Sequence, residues 1–184
     1  MSTILDTREA QKALPAGTWK VDPIHSHVGF AVEYVVGSFR GSFSPIDAQL
    51  EVGEDGAVLT GSVPVDGIRV QDENLTAHLQ SPEFFDLERT PQITFRSSEI
   101  ARSGDEVAIK GDLTIRGVAQ PVEARGTITD PTEDAHGQVR FGLRLETVVD
   151  RARFGLNWNN PLPSGEPALA NEVALTAELA LVKE

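Results

Sequence analysis

Two histidines near the start of the chain are the first residues whose spacing could support chemistry. His25 and His27 lie two positions apart, so on a β-strand both side chains would project from one face, as metal ligands can. The chain has four histidines and no cysteine, and the spacing offers no evident third ligand. We therefore expect neither a metal ion nor any other cofactor.

Three side chains in the same region have the residue types of a hydrolytic site. Asp22, His25 and Ser26 could form a Ser/His/Asp arrangement, in which a base activates a hydroxyl nucleophile. Their closeness on an extended strand would make mutual hydrogen bonding awkward, and no glycine-flanked nucleophile turn is present. We interpret them instead as a hydrogen-bond network at the start of a strand. His78, on a predicted short helix, is the other candidate acid or base, with a plain surface position as the alternative.

The segments that would position these side chains follow a period of two residues, which is typical of strands with one buried face. Apolar residues occupy alternate positions in three stretches: Val28, Phe30 and Val32; Val139, Phe141, Leu143 and Leu145; and Val173, Leu175, Ala177, Leu179 and Leu181. Turn signals separate the candidate strands at residues 54–56, 103–105, 116–117 and 134–137. The pattern predicts an all-β protein with antiparallel strands.

A short helical insertion is predicted near residues 74–86. Asn74 is placed to cap a helix with one apolar face, because its side-chain oxygen can accept an unpaired backbone N–H bond. Pro82 is compatible with a further helical turn, since the first helical position needs no N–H donor. The insertion ends before Pro91, because the residue before a proline favours extended geometry.

The chain resembles the YceI-like family of lipocalin-like, polyisoprenoid-binding proteins in several spaced motifs. The motifs occur in the family's order: residues 19–30 (WKVDPIHSHVGF), 40–43 (RGSF), 78–79 with 82–85, 154–159 (FGLNWN) and 171–173 (NEV). One position departs from the pattern, because Tyr34 stands where the family usually has a histidine. The departure concerns a polar contact of that histidine and not the fold.

The resemblance implies a single antiparallel eight-stranded lipocalin-like barrel over residues 17–184, with the helical insertion inside it. Residues 1–16 would form an N-terminal arm or a short helix. Family members bind long apolar chains inside the barrel, but a barrel of this size can also fill its interior with side chains. A solid core is therefore the alternative to a ligand tunnel.

The predicted tunnel lining combines the apolar phase of the strands with the aromatic residues Tyr34 and Trp158. The residues predicted to bind the ligand are Val28, Phe30, Val32, Tyr34, Ile93, Phe95, Leu113, Ile115, Phe141, Leu143 and Trp158. Trp158 lies beside a proline-glycine loop and would close one barrel end or guard its opening. Trp19 would plug the other end.

The formal net charge of −12 disfavours two classes of partner. Nucleic-acid binding needs a clustered excess of Lys and Arg, and an anionic membrane surface would repel the chain. No apolar run approaches the roughly 20 residues of a transmembrane helix, so we expect no stable membrane insertion. The first 14 residues lack the basic start and the apolar run of a signal peptide, so we expect a cytoplasmic protein.

The sequence thus predicts non-catalytic binding of an isoprenoid or another long-chain amphiphile, for storage, transport or presentation in isoprenoid or quinone metabolism. Two alternatives stay open. One is a small hydrolase or isomerase that acts on an apolar substrate through His25 or His78. The other is a ligand-free, stress-related structural protein. A homodimer is also left open.

Overall fold

The computed structural model describes residues 13–184, and within this range the chain is built mainly from strands. The strands are β1 (Gly17–Val21), β2 (His27–Tyr34), β3 (Gly37–Phe43), β4 (Asp47–Gly53), β5 (Gly56–Pro64), β6 (Ile68–Arg69), β7 (Gln92–Ser103), β8 (Glu106–Ile115), β9 (Val118–Ile128), β10 (Thr132–Glu133), β11 (Val139–Asp150) and β12 (Leu169–Lys183). The α-helix in the described range, α1, spans Glu73–Gln80. Short 3₁₀ helices occur at Pro23–His25, Val65–Gly67 and Arg151–Phe154.

The strands close into an antiparallel barrel because three pairs of consecutive strands each act as one long, bent strand. β1 and β2 pair one after the other with the same edge of β12, and β4 and β3 pair with β1 and β2 in turn. β5 and β6 continue this arrangement alongside β4 and β3. The ring then continues from β5 through β7, β8, β9 and β11, and β12 closes it against β11. The two-residue β10 pairs with β11 alone. The predicted all-β, eight-stranded lipocalin-like barrel is confirmed.

The predicted alternation of buried and exposed side chains is clearest in the long β11–β12 pair. Phe141 stands opposite Leu181 and Leu143 opposite Leu179, and all four side chains are at most 7% exposed. On the other face, which is exposed to solvent, Arg144 Nε lies 3.2 Å from a carboxylate oxygen of Glu178 and forms an ion pair with it. A strand with this alternation must keep one face toward the barrel interior.

The β8–β9 hairpin has the tight turn that the sequence predicts. Arg116 and Gly117 both have positive φ, at 58° and 75°, as a two-residue type I′ turn requires. This turn matches the right-handed twist of the flanking strands, so Ile115 pairs directly with Val118.

The helical insertion differs from its predicted start and end. The helix is capped by Asp72, whose carboxylate accepts the N–H of Leu75 at 3.0 Å, so Asn74 lies within the first turn and is not the cap. Asp and Asn are comparably good caps, and the pattern alone did not separate them. Ser81 has extended geometry because it precedes a proline, and the chain continues through turns instead of further helix.

The start of the described range lies across one end of the barrel. The indole N–H of Trp19 donates to the Pro15 carbonyl at 3.0 Å, and Arg102 donates to the Ala13 carbonyl at 3.2 Å. Leu14 packs against the core between these two contacts. The predicted arm or helix over residues 1–16 otherwise lies outside the described residues.

The described part of the chain has no helix whose length and hydropathy would suit a membrane span.

Candidate ligand-binding cavity

The barrel contains an apolar cavity of about 500 Å³. Its wall is formed by inward-facing residues of the long strands together with α1 and the segment after β11. At the end near α1 the wall includes Tyr34, which is 43% exposed, and His78, whose side chain is 31% exposed. We call this solvent-accessible end the mouth.

The structure places all but two of the predicted binding residues on the cavity wall. The residues that line it are Val28, Phe30, Val32, Tyr34, Ile93, Phe95, Leu113, Ile115 and Trp158. Phe141 and Leu143 are buried at the opposite end of the barrel and do not line the cavity. Here the expectation needs correction, because the Trp19 ring packs edge-on against Phe141, with centroids 4.8 Å apart, and fills the space between the strands.

An aromatic cluster of four rings forms one side of the cavity, and the sequence predicted Phe30 alone among them as a binding residue. The Phe30 ring lies 5.8 Å from the rings of Phe39 and Phe43, and Phe43 lies 5.8 Å from Phe85. Gly41 makes room for this cluster, since a Cβ there would lie 2.5 Å from the Phe30 ring. Phe39, Gly41 and Phe43 occupy alternate positions on β3. Because Gly41 has no side chain, the sequence shows no continuous alternation of apolar residues there.

At the mouth, His78 joins the helix to the segment after β11. Its ring packs edge-on against Phe84 and Trp158, with centroids 4.9 Å apart in both cases. Its Nε2 lies 2.6 Å from a carboxylate oxygen of Glu83. The mouth therefore combines two aromatic faces with one polar pair, an arrangement that can border an apolar chain and contact a polar head group.

Trp158 is held in place by a buried arginine that sequence reasoning missed. Arg151 is 4% exposed, and its guanidinium donates to the carbonyls of Ala170, Leu156 and Trp158 at 2.6–2.8 Å. Burial lowers the pKa of the Arg151 guanidinium, an effect that the nearby Asp150 carboxylate opposes. The pattern gave no signal for this role, because arginine is usually a surface residue.

Asn159 links the segment after β11 to the start of β12 through its side-chain amide. Its side-chain nitrogen donates to the Leu169 carbonyl at 2.8 Å, and its side-chain oxygen accepts the N–H groups of Ala168 and Leu169. The side chain thus mimics a strand partner where β12 begins. Together with Arg151 it fixes the position of Trp158 at the mouth.

Asp22, His25 and Ser26 form a structural network away from the cavity wall. The Asp22 carboxylate accepts the N–H of Ile24 and lies 2.6 Å from His25 Nδ1. Ser26 Oγ donates to the Asp22 carbonyl and accepts the N–H of Ala180, which ties the network to β12. The hydrogen bond from His25 is the largest cause that lowers the pKa of Asp22 below its ordinary value.

Two sequence expectations about these histidines are wrong. Mutual hydrogen bonding is not awkward for Asp22 and His25, because residues 23–25 form a 3₁₀ helix instead of an extended strand. For the same reason His25 and His27 do not project from one strand. Across residues 13–184 no three His, Asp or Glu side chains are grouped so that they could hold a metal ion.

A closed antiparallel barrel of this size with an apolar interior space defines a lipocalin-like protein with a ligand-sized cavity. The model of the YceI-like domain matches residues 19–181. The chain belongs to the YceI-like family.

Relatives with similar sequences cover most of the chain. A UPF0312 protein of Staphylococcus epidermidis is 29% identical over 164 residues, which cover 85% of this chain and 92% of the relative. Protein YceI of Salmonella newport is 26% identical over 147 residues, which cover 77% of each chain.

Two solved structures have the same fold. Burkholderia cenocepacia BcnA superposes with a TM-score of 0.72 at 22% identity, covering 87% of this chain and 98% of BcnA. A polyisoprenoid binding domain from Saccharophagus degradans superposes with a TM-score of 0.69 at 8% identity, covering 90% of this chain and 98% of that domain.

Proposed function

We propose that the protein binds an isoprenoid or another long-chain amphiphile in the barrel cavity without catalysing a reaction on it. It would store or transport this ligand, or present it to an enzyme of isoprenoid or quinone metabolism. The observation that carries the proposal is the apolar cavity of about 500 Å³. Small-molecule sites usually measure about 300–1,000 Å³ and are lined mainly by apolar and aromatic side chains.

Apolar burial alone can supply the binding free energy. Each buried methylene contributes about 0.8 kcal/mol, so a dozen carbons contribute about 10 kcal/mol. This gain exceeds the cost of association over the lower half of its range of about 4–15 kcal/mol, and each further methylene adds to the gain. A ligand of this kind therefore needs no charged partner in the barrel. The similarity to a polyisoprenoid binding domain supports the same class of ligand.

The polar head of the ligand would stay at the mouth. Tyr34 supplies a hydroxyl there, and His78 with Glu83 supplies a polar pair beside Trp158. A head group at this position keeps its contact with water, while the chain fills the space between the strands. The enzyme alternative would have to use His78, since His25 does not line the cavity.

The test is extraction of the purified protein with organic solvent, followed by mass spectrometry. We expect close to one amphiphile per chain, recovered chemically unchanged after incubation with the delipidated protein. A delipidated protein that takes up no acyl or prenyl probe would contradict the proposal. Turnover of the recovered ligand, lost on His78→Asn substitution, would favour the enzyme instead.

A further inference from the structure

The barrel interior is divided into a hollow half and a filled half. Along β4, Ala48 lines the cavity, whereas Leu50, two residues farther on the same face, is 2% exposed and does not. The same change occurs on β11 between Leu145, which lines the cavity, and Leu143. It occurs again on β12 between Leu179 and Leu181. The cavity therefore ends at a common level on different strands.

Below that level large side chains fill the barrel. We call this layer the floor. Its members are Trp19, Leu50, Ile109, Ile128, Phe141, Leu143 and Leu181. Each is at most 4% exposed.

The floor is fixed by contacts on its outer side. The indole N–H of Trp19 bonds the Pro15 carbonyl, and the Lys183 ammonium lies 5.9 Å from the centre of the Trp19 ring. The segment containing Pro15 is itself tied to Arg102 through the Ala13 carbonyl. A chain that enters from the mouth would have to displace packed rings and branched side chains to pass this layer, at a cost typical of core overpacking.

We propose that the floor sets the maximum length of apolar chain that the cavity can enclose, so the ligand class is limited by chain length. This inference rests on the proposed function. Leu169 and Leu179 are the first and last residues of β12 that line the cavity, and they lie ten residues apart, or about 33 Å along a strand. At a strand tilt of about 40°, the cavity depth along the barrel axis is at most about 25 Å.

This depth defines the enclosed ligand. A carbon–carbon bond of about 1.5 Å advances an extended chain by about 1.25 Å, so the cavity encloses at most about 20 chain carbons. A longer polyprenyl chain binds with its remaining part outside the mouth and gains nothing further from the barrel. The protein therefore discriminates among short amphiphiles by length and treats all longer ones alike.

The test measures binding of dansyl amides of saturated acyl chains that increase by two methylenes at a time. With the delipidated protein, affinity should rise about fourfold per added methylene and then stop rising at one chain length. Two variants should move this limit in opposite directions. Leu143→Ala opens space below Leu145 and should lengthen the limit by roughly two carbons. Ala124→Leu, opposite Ile109 on the neighbouring strand, fills space above the floor and should shorten it.

Leu87→Ala is the matched control, because Leu87 packs against the core without lining the cavity. It should leave the limit unchanged even if the thermal midpoint falls. Ala124→Leu adds volume to a cavity and keeps the test valid if Leu143→Ala does not fold. Affinity that rises without a limit, or a limit that neither variant moves, overturns the floor as the length-determining layer but leaves the proposed function. A wild-type protein that binds no chain of any length overturns both.

Discussion

At the scale of single residues, Val32 distinguishes a ligand cavity from a solid core. The side chain is 6% exposed and lines the cavity from β2. Val32→Trp should abolish uptake of a fluorescent prenyl or acyl probe, because the indole would occupy the ligand's space. Circular dichroism should remain that of a β protein, and the thermal midpoint should change little. In a packed core the same change would cost roughly 1–3 kcal/mol or more.

The matched control for this prediction is Val148→Trp, since Val148 lies on β11 and is 63% exposed. It should retain probe binding. Strong destabilisation by Val32→Trp, together with a wild type that never binds probe, would mean a solid core.

Asp22 should make stability depend on pH in a defined direction. Its hydrogen bond from His25 lowers the pKa of the folded carboxyl below the ordinary value of 3.8. The folded state therefore favours the carboxylate, and this contribution to the free energy of unfolding is present above pH 3.8. It is lost as pH falls through the lower folded pKa, because the hydrogen bond from His25 then no longer meets a charged carboxylate.

The comparison with Asp22→Asn isolates this effect from the other titrating groups. At neutral pH the variant should lose about 1 kcal/mol, because its amide oxygen can still accept the N–H of Ile24 but no longer offers His25 a charged acceptor. The difference from wild type in urea unfolding should shrink below pH 4. A difference that stays constant from neutral to acid pH would show that the charge of Asp22 contributes nothing.

At the scale of elements, Arg151 determines the order of the segment between β11 and β12. Its removal leaves the carbonyls of Leu156, Trp158 and Ala170 without a buried donor. Arg151→Met should lower the free energy of unfolding by about 2–4 kcal/mol, since each unsatisfied buried group costs about 1–3 kcal/mol. Hydrogen exchange at Ala168 and Leu169 and the fluorescence of Trp158 should report local loosening.

Arg151→Lys is the control for charge alone. The ammonium keeps the positive charge but cannot reach three carbonyls with one planar group, so most of the loss should persist. Full recovery of stability by lysine would mean that charge matters and the hydrogen-bond pattern does not.

The regular elements could be predicted from the sequence, and the irregular ones could not. The alternation of Phe141, Leu143 and Leu145 predicted a strand, and Arg116-Gly117 predicted a hairpin. Both patterns depend only on residues that are close together in the sequence. The bends at residues 23–25 and 65–67 join short strands into long ones, and they depend on pairing with distant partners. The Asp22 to Ser26 cluster was assigned its structural role correctly but with the wrong backbone geometry.

At the scale of the whole molecule, binding should be independent of divalent metal ions. The cavity wall is almost entirely apolar, and apolar burial does not change with metal concentration. Probe displacement curves measured with and without a chelator should superimpose. A shift that is reversed by adding back a metal ion would contradict this expectation.

Whether the barrel is hollow is also a property of the whole molecule. Leu143 and Leu145 have the same residue type and the same phase on β11, yet one belongs to the floor and the other lines the cavity. The difference arises from the summed volume of side chains at each level, including Trp19 from the opposite end of the chain. Periodicity reports the direction of a side chain and not its volume, so it identified seven of the wall residues and misplaced Phe141 and Leu143.

The pairing of Trp19 with Lys183 has a kinetic consequence. The barrel closes only when a strand near the start of the chain meets one more than 160 residues later, so its decisive contacts span almost the whole sequence. Proteins dominated by such non-local contacts fold slowly, in milliseconds to seconds. Until that moment both edges of the open sheet and its apolar face are exposed, and this interval is when the chain is most prone to aggregate.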